Sequence, residues 1–168
     1  CKVIITGTKE EKLEKICSKY KKDQIGYVKL NINNCNEIES AIAKAAMIFG
    51  NIDTFVYSAG VHCKDTFGNI SEETWDNVLD VNLKGMYFSC QSVGNYMIQN
   101  KIRGHILNVC SASCGKPGWT PYEISKSGVR SLTLGFADKL VKHGIVVNGI
   151  APGPVATPMI GVDENNLY

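Results

Sequence analysis

The sequence is short of the features that mark most specialised classes. No apolar run approaches the roughly 20 residues needed to span a bilayer. The opening Cys1-Lys2-Val3-Ile4-Ile5 has none of the charged region, apolar stretch and cleavage site of a signal peptide. A soluble cytoplasmic protein with no membrane partner is therefore expected. Charge of one sign is scarce too: 18 Lys plus Arg face 16 Asp plus Glu, a formal charge of +2, and the basic residues are scattered or paired with acids, as in Lys9-Glu10-Glu11-Lys12. No basic stripe of a nucleic-acid binder results. The seven cysteines, at positions 1, 17, 35, 63, 90, 110 and 114, lack the CxxC spacing of a zinc site or redox centre. They read as reduced thiols used as small apolar residues. His62, His105 and His143 show no ligand spacing, so no metal is expected. Repeats, low-complexity tracts and linkers are absent as well.

What is present is the balance of a folded domain. The 168 residues are 44% hydrophobic and 20% charged, which suits one core and excludes whole-chain disorder. A single domain over residues 1–168 is expected. Short Val- and Ile-rich runs at residues 3–6, 26–30, 52–57, 105–109 and 145–150 read as five strands. Helical periodicity fills residues 9–22, 36–49, 71–99 and 120–142 between them, with Ser71 as an N-terminal signal. Strands alternating with helices predict a parallel α/β sheet with right-handed crossovers. The helix predicted over 71–99 carries Trp75, Val78, Leu79, Met86, Tyr87, Cys90, Val93 and Met97 as a core stripe. Val81, Phe88 and Tyr96 fall outside it, and a second apolar face of this kind suggests a subunit interface in a homo-oligomer, a dimer or tetramer.

Ligands of open parallel sheets bind beyond the carboxyl ends of the strands. There the sequence places Ser58-Ala59-Gly60, Cys110-Ser111-Ala112-Ser113 and Ala151-Pro152-Gly153-Pro154, small or hydroxyl-bearing segments that let a ligand approach the backbone. Any one alone could be a turn. Tyr122 and Lys126 then stand at i, i+4 spacing, which puts phenol and ammonium on one helix face. A phenol ordinarily titrates near pH 10, so base chemistry at neutral pH calls for a neighbouring cation. The plain alternative is a surface Tyr beside a solvated Lys. The position of the pair, eleven residues after Ser111 and behind a Gly-Pro-rich loop, favours chemistry.

In these segments the chain resembles the short-chain dehydrogenase/reductase family, in particular its 3-oxoacyl-acyl-carrier-protein reductase-like members. The resemblance rests on Ser58-Ala59-Gly60, Asp80-Val81-Asn82-Leu83-Lys84-Gly85, Ile106 through Ser111, Tyr122-x-x-Ser125-Lys126, and Asn148-x-Ile150-Ala151-Pro152-Gly153-x-Val155-x-Thr157, in family order over about residues 1–160. It implies a Rossmann-like, doubly wound parallel sheet and an Asn-Ser-Tyr-Lys tetrad. Tyr122 would be the general acid or base, Ser111 would hydrogen-bond the substrate oxygen, Lys126 would hold the nicotinamide ribose and favour the phenolate, and Asn82 would place a water that relays protons to Lys126. Ser113 is the alternative to Ser111, and Asn82 could instead cap its own helix backbone. The resemblance further implies cofactor contacts from Asn31 and Ile32 to adenine, from Ser58, Ala59 and Gly60, from Tyr122 and Lys126, and from Pro152, Gly153, Val155 and Thr157 to the carboxamide. The alternative for that last segment is a loop that only ends its strand. Asn31 stands where an Asp is usual and Ser58 where an Asn is usual.

The family's Thr-Gly-x-x-x-Gly-x-Gly phosphate loop is missing. Thr6-Gly7-Thr8-Lys9-Glu10 has no following glycines, and Gly7 lies only twenty-four residues before Asn31. Residues 3–6 thus read as the family's second strand, with the first strand, glycine loop and helix not in the sequence, and the C-terminal strand likewise absent. A second reading keeps them as the first strand with a segment lost beside Gly7. Weak cofactor binding by these residues alone is the expectation. After the second strand Gly7-Thr8-Lys9 offers a Lys and no acid to repel a 2′-phosphate, which favours NADP over NAD, although Glu10 and Glu11 come directly after. The implied reaction interconverts an alcohol and a carbonyl of a small-molecule substrate; 3-oxoacyl-thioester reduction and sugar or steroid oxidation all fit. The alternative is a catalytically silent dinucleotide-binding sensor or scaffold.

Overall fold

A computed structural model describes residues 1–63 and 67–155. The β-branched runs form five strands: β1 (Val3–Gly7), β2 (Ile25–Lys29), β3 (Thr54–Tyr57), β4 (His105–Val109) and β5 (Val146–Ile150). All pairings are parallel, each requiring a crossover, and the helices supply them: α1 (Glu10–Cys17), α2 (Cys35–Phe49), α3 (Glu72–Leu79), α4 (Gly85–Gln99) and α5 (Pro121–Leu140). β1 pairs with β2, while β3, β4 and β5 form a second sheet in that order. The split agrees with the reading of residues 3–6 as a second strand, which leaves β1 without a neighbour on that side.

The core gathers on α4. Met86, Cys90, Val93 and Met97 are fully buried against Ile106 of β4, Val129 of α5 and Ile38 of α2. Burial at this level stabilises by about 1.5–3 kcal/mol per large apolar side chain. A polar thread crosses the same core: the Cys90 thiol donates to Asn108 Oδ1 at 3.3 Å, Asn108 Nδ2 to Thr133 Oγ1 at 3.1 Å, and that hydroxyl to Val129 O at 2.7 Å. Every buried polar atom in the thread is thereby satisfied or shared. Burial pushes the Cys90 thiol up to about 12, so it stays protonated and inert. All seven cysteines are free. Among the described residues no helix is long and apolar enough to cross a membrane.

Two expectations need correction. Residues 9–22 are helical only over Glu10–Cys17, and at its end the Ser18 hydroxyl bonds back to Lys15 O at 2.9 Å. Residues 71–99 are not one continuous α-helix: α3 starts on a Ser71 cap and gives way to a π-helical turn, Asp80–Lys84, before α4. The wider turn rotates α4 relative to α3. Val78 and Met86 consequently share a buried face while Trp75 and Tyr87, expected in the stripe, are exposed, and Phe88 and Tyr96, expected outside it, pack on the core. Tyr87 instead joins Phe88 and Phe136 in an aromatic group, beside a shallow cleft lined by Leu79, Leu83 and Leu132.

The π turn is closely packed by its neighbours. The Tyr57 hydroxyl donates to Val81 O, a carbonyl within the turn, and the backbone of Gly85 passes against the same side chain. A Cβ at Gly85 would lie 2.7 Å from Ile32 Cγ1, 2.9 Å from the Tyr57 hydroxyl and 3.2 Å from Asp80 O. Gly85→Ala is therefore expected to cost about 1–3 kcal/mol through overpacking. Urea unfolding measures it, and an unchanged midpoint would show that Ile32 and Tyr57 yield freely.

Candidate active site

The parallel order of β3, β4 and β5 brings their carboxyl ends to one edge. Backbone bonds continue past the last ladder pair, from Cys110 N to Ile150 O at 2.8 Å and from Ala112 N to Pro152 O at 2.9 Å, tying the loops after β4 and β5 together. Ser111 and the 3₁₀ turn Ala112–Gly115 come next after β4. The Ser111 hydroxyl accepts from Ser113 N at 3.2 Å and shares a 3.0 Å hydrogen bond with Ser113 Oγ. α5 then opens on a capping box: Thr120 Oγ1 accepts from Glu123 N, Glu123 Oε2 accepts from Thr120 N and Trp119 N, and Pro121 occupies the first turn. The N–H donors of Thr120 and then Trp119 hold the Glu123 carboxyl below its usual range, with a smaller contribution from nearby His62.

This cap fixes the first turn of α5 and hence Tyr122, which is half-buried. One helical turn on, Lys126 is only 5% exposed, and its ammonium lies 5.8 Å from the Tyr122 ring centroid. Nζ donates to Val109 O at 2.9 Å. Among the described residues it makes no other hydrogen bond and no ion pair, which leaves two of its three N–H groups free. Burial pulls the Lys126 ammonium below the ordinary lysine value, opposed more weakly by Cys110. It is not a solvated surface lysine.

Asn82 sits in the π turn, fully buried, and does not cap its own helix. Its Oδ1 accepts from Val61 N at 2.8 Å while Nδ2 donates to Val61 O at 2.9 Å and to Ser125 Oγ at 3.1 Å. Ser125 Oγ in turn donates to Tyr122 O at 2.7 Å. Gly60 lies where these groups meet: a Cβ there would stand 3.5 Å from Asn82 Oδ1 and 3.7 Å from Lys126 Nζ. A cleft of about 360 Å³ opens beside them, lined by His62, Cys63, Ser113, Trp119, Thr120, Tyr122 and Glu123. The His62 and Tyr122 rings pack with centroids 4.6 Å apart, and Trp119 meets Phe67 edge-on at 5.7 Å.

Of the residues singled out from the sequence, Asn82, Tyr122 and Lys126 are thus brought together, and Ser111 reaches the cleft through Ser113, which lines it. Ser58 and Ala59 are exposed and Gly60 half-buried at the end of β3; Pro152 is half-buried, and Gly153 and Val155 are exposed beyond β5. Asn31 and Ile32 lie just past β2 in the other sheet. Asn31 Oδ1 accepts from Asn33 N at 3.2 Å, and Ile32 packs toward Gly85 and the core. Thr157 lies outside the described residues. Sequence reasoning weighed His62 only as a metal ligand and passed over Trp119, Thr120, Glu123 and the role of Ser125. Only the Thr-Pro-x-Glu capping box carried a local signal. Among the described residues no cluster of His, Cys, Asp and Glu is placed to hold a metal ion.

A parallel α/β fold that gathers a Tyr, a buried Lys and paired Ser hydroxyls at its strand ends defines a Rossmann-like protein. The short chain dehydrogenase profile matches residues 1–166, and the chain belongs to that family. It is 39% identical over 132 residues to the 3-oxoacyl-[acyl-carrier-protein] reductase FabG of Thermotoga maritima, covering 77% of this chain and 53% of that protein. To the 5-keto-D-gluconate 5-reductase of Escherichia coli it is 33% identical over 161 residues, covering 94% and 63%. Among solved structures, a short chain dehydrogenase from Bacillus anthracis superposes with TM-score 0.85 at 31% identity, over 92% of this chain and 66% of the other. A gluconate 5-dehydrogenase from Burkholderia cenocepacia, in complex with NADP and tartrate, gives TM-score 0.86 at 26% identity, over 94% and 63%. The chain thus spans between about half and two thirds of the length of these relatives.

Proposed function

We propose that this chain carries the catalytic half of an NADP(H)-dependent oxidoreductase that interconverts a small-molecule alcohol and carbonyl. The observation that supports it most is Lys126: an ammonium 5% exposed, with one hydrogen bond and no carboxylate partner among the described residues, one helical turn from a phenol at a cleft. A buried charge left so incompletely paired is costly, and such costs concentrate at functional sites. Its two free N–H groups suit a pair of ribose hydroxyls, and the bare Gly60 backbone beside it leaves room for them. When bound, a nicotinamide supplies or accepts the hydride. Tyr122 exchanges the proton of the substrate oxygen at its hydroxyl. Ser111 and Ser113 act on that oxygen as a pair, Ser113 at the cleft wall and Ser111 hydrogen-bonded behind it. Asn82 holds the loop after β3 in place, and Asn31, Ile32, Ser58, Ala59, Pro152, Gly153, Val155 and Thr157 are assigned to the remainder of the cofactor.

The preference for NADP rests on the start of α1. Lys9 is exposed there, whereas the Glu10 carboxylate is drawn toward Lys29, 3.6 Å away, and the Tyr27 hydroxyl on β2. The Burkholderia relative was solved with NADP. The same reading includes a homo-oligomer in which a second copy covers the exposed Tyr87 and the shallow apolar cleft beside it. Because the glycine-rich phosphate loop is not in the sequence, the test uses millimolar NADPH. With 3-oxoacyl thioesters, keto sugar acids and steroid ketones as a panel, consumption of NADPH with at least one class is expected. Nucleotide binding without turnover would favour the silent sensor.

A further inference from the structure

We propose that His62 is a positioning residue for the Tyr122 phenol, its imidazole being the wall that sets the rotation of that ring inside the cleft. The inference rests on the reading of Tyr122 as the acid/base group. His62 is exposed, so the core does not hold its side chain; its backbone is held instead. The residue before it, Val61, is gripped at both N–H and C=O by the buried carboxamide of Asn82, at 2.8 and 2.9 Å. The residue after it, Cys63, is buried at 7% exposure. Between these two anchors the imidazole is delivered against the Tyr122 ring, centroids 4.6 Å apart and planes tilted by 48°.

The contact closes a circuit. Asn82 Nδ2 donates to Ser125 Oγ at 3.1 Å, and Ser125 Oγ donates to Tyr122 O at 2.7 Å. Asn82 therefore fixes the main chain of Tyr122 through Ser125 and the ring of Tyr122 through Val61 and His62. The phenol projects from the first turn of α5 into the cleft, where the facing ring of His62 limits its rotation on that side. Tilted aromatic pairs have preferred geometries, and a displacement of about 1 Å in a reacting group can cost as much as 10²-fold in rate. Loss of one restraint on a ring that keeps its backbone anchor should cost about tenfold.

The test compares His62→Ala and His62→Phe with the parent chain in two readouts. The first is kcat and KM with millimolar NADPH and an accepted carbonyl; the second is the ring ¹H–¹³C resonances of Tyr122, assigned by their loss in Tyr122→Phe. His62→Ala is expected to lower kcat about tenfold with NADPH KM and thermal midpoint unchanged, and to shift the Tyr122 resonances. His62→Phe, which keeps a ring but no titratable nitrogen, should recover most of kcat and move the resonances back. Parental kcat in His62→Ala, or an unmoved Tyr122 signal there, overturns the inference. So does a His62→Phe variant as slow as His62→Ala, since the nitrogens and not the ring would then matter. A parent chain without turnover, but with the resonance shift intact, would sink the assignment of Tyr122 while leaving the packing role of His62 standing.

Discussion

Tyr122→Phe is expected to lower kcat by about 10³-fold or more, within the range that a positioned acid or base contributes, while the thermal midpoint stays within a degree or two. The ring of Tyr122 is half-buried and packs on His62, and Phe preserves both contacts. What it removes is the hydroxyl, which makes no hydrogen bond within the described residues, so no protein group is left unpaired. Loss of rate without loss of stability is therefore the signature sought, and NADPH affinity should be unaffected within about threefold, since the lysine side of the cleft is untouched. A Tyr122→Phe enzyme retaining more than about a tenth of parental kcat would remove the phenol from the mechanism.

The parts of this architecture set by local chemistry could be read from the sequence. Val- and Ile-rich runs mark β4 at His105–Val109 to the residue and the other strands within two residues, because β-branched stretches between turn signals have few other uses in a chain that alternates with helices. The i, i+4 relation of Tyr122 and Lys126 is likewise local. The π turn at Asp80–Lys84 was not legible, since what accommodates it, the Tyr57 hydroxyl and the close pass of Ile32, comes from other elements. Asn82 stood out only through the family resemblance; its partners Val61 and Ser125 lie 21 and 43 residues away, a distance no periodicity encodes. Spacing is informative about His62 only as a metal ligand, whereas its ring contact depends on the clamp at Val61. Ser113 and Ser111 could not be ranked by spacing alone because both hydroxyls belong to one tight turn, in which each shapes the exposure of the other.

Lys126→Met separates function from stability in the opposite sense to an ordinary core substitution. Turnover is expected to fall by at least about 100-fold, because an ammonium 5.8 Å from the phenol ring is lost together with the donors assigned to the ribose. The fold should not suffer. Met keeps a buried apolar stem of similar length, and it removes an ammonium whose burial is the first cause of its lowered pKa. That direction fixes the sign of the pH dependence. A lysine that titrates below its unfolded value of 10.5 binds fewer protons in the native state than in the unfolded chain, so parental stability rises with pH across the window from the lowered value to 10.5. Below that window the cost of the charge is fully present, partly offset by the bond to Val109 O. The variant lacks this contribution. Its thermal midpoint at pH 7 should equal or exceed that of the parent, and its advantage should shrink as pH climbs toward 10.5, as read by paired thermal melts between pH 6 and 10.5. A midpoint several degrees lower at pH 7 would make the ammonium a structural strut, held by Val109 for the sake of the β4–α5 junction, and would withdraw the argument that its cost is tolerated for chemistry.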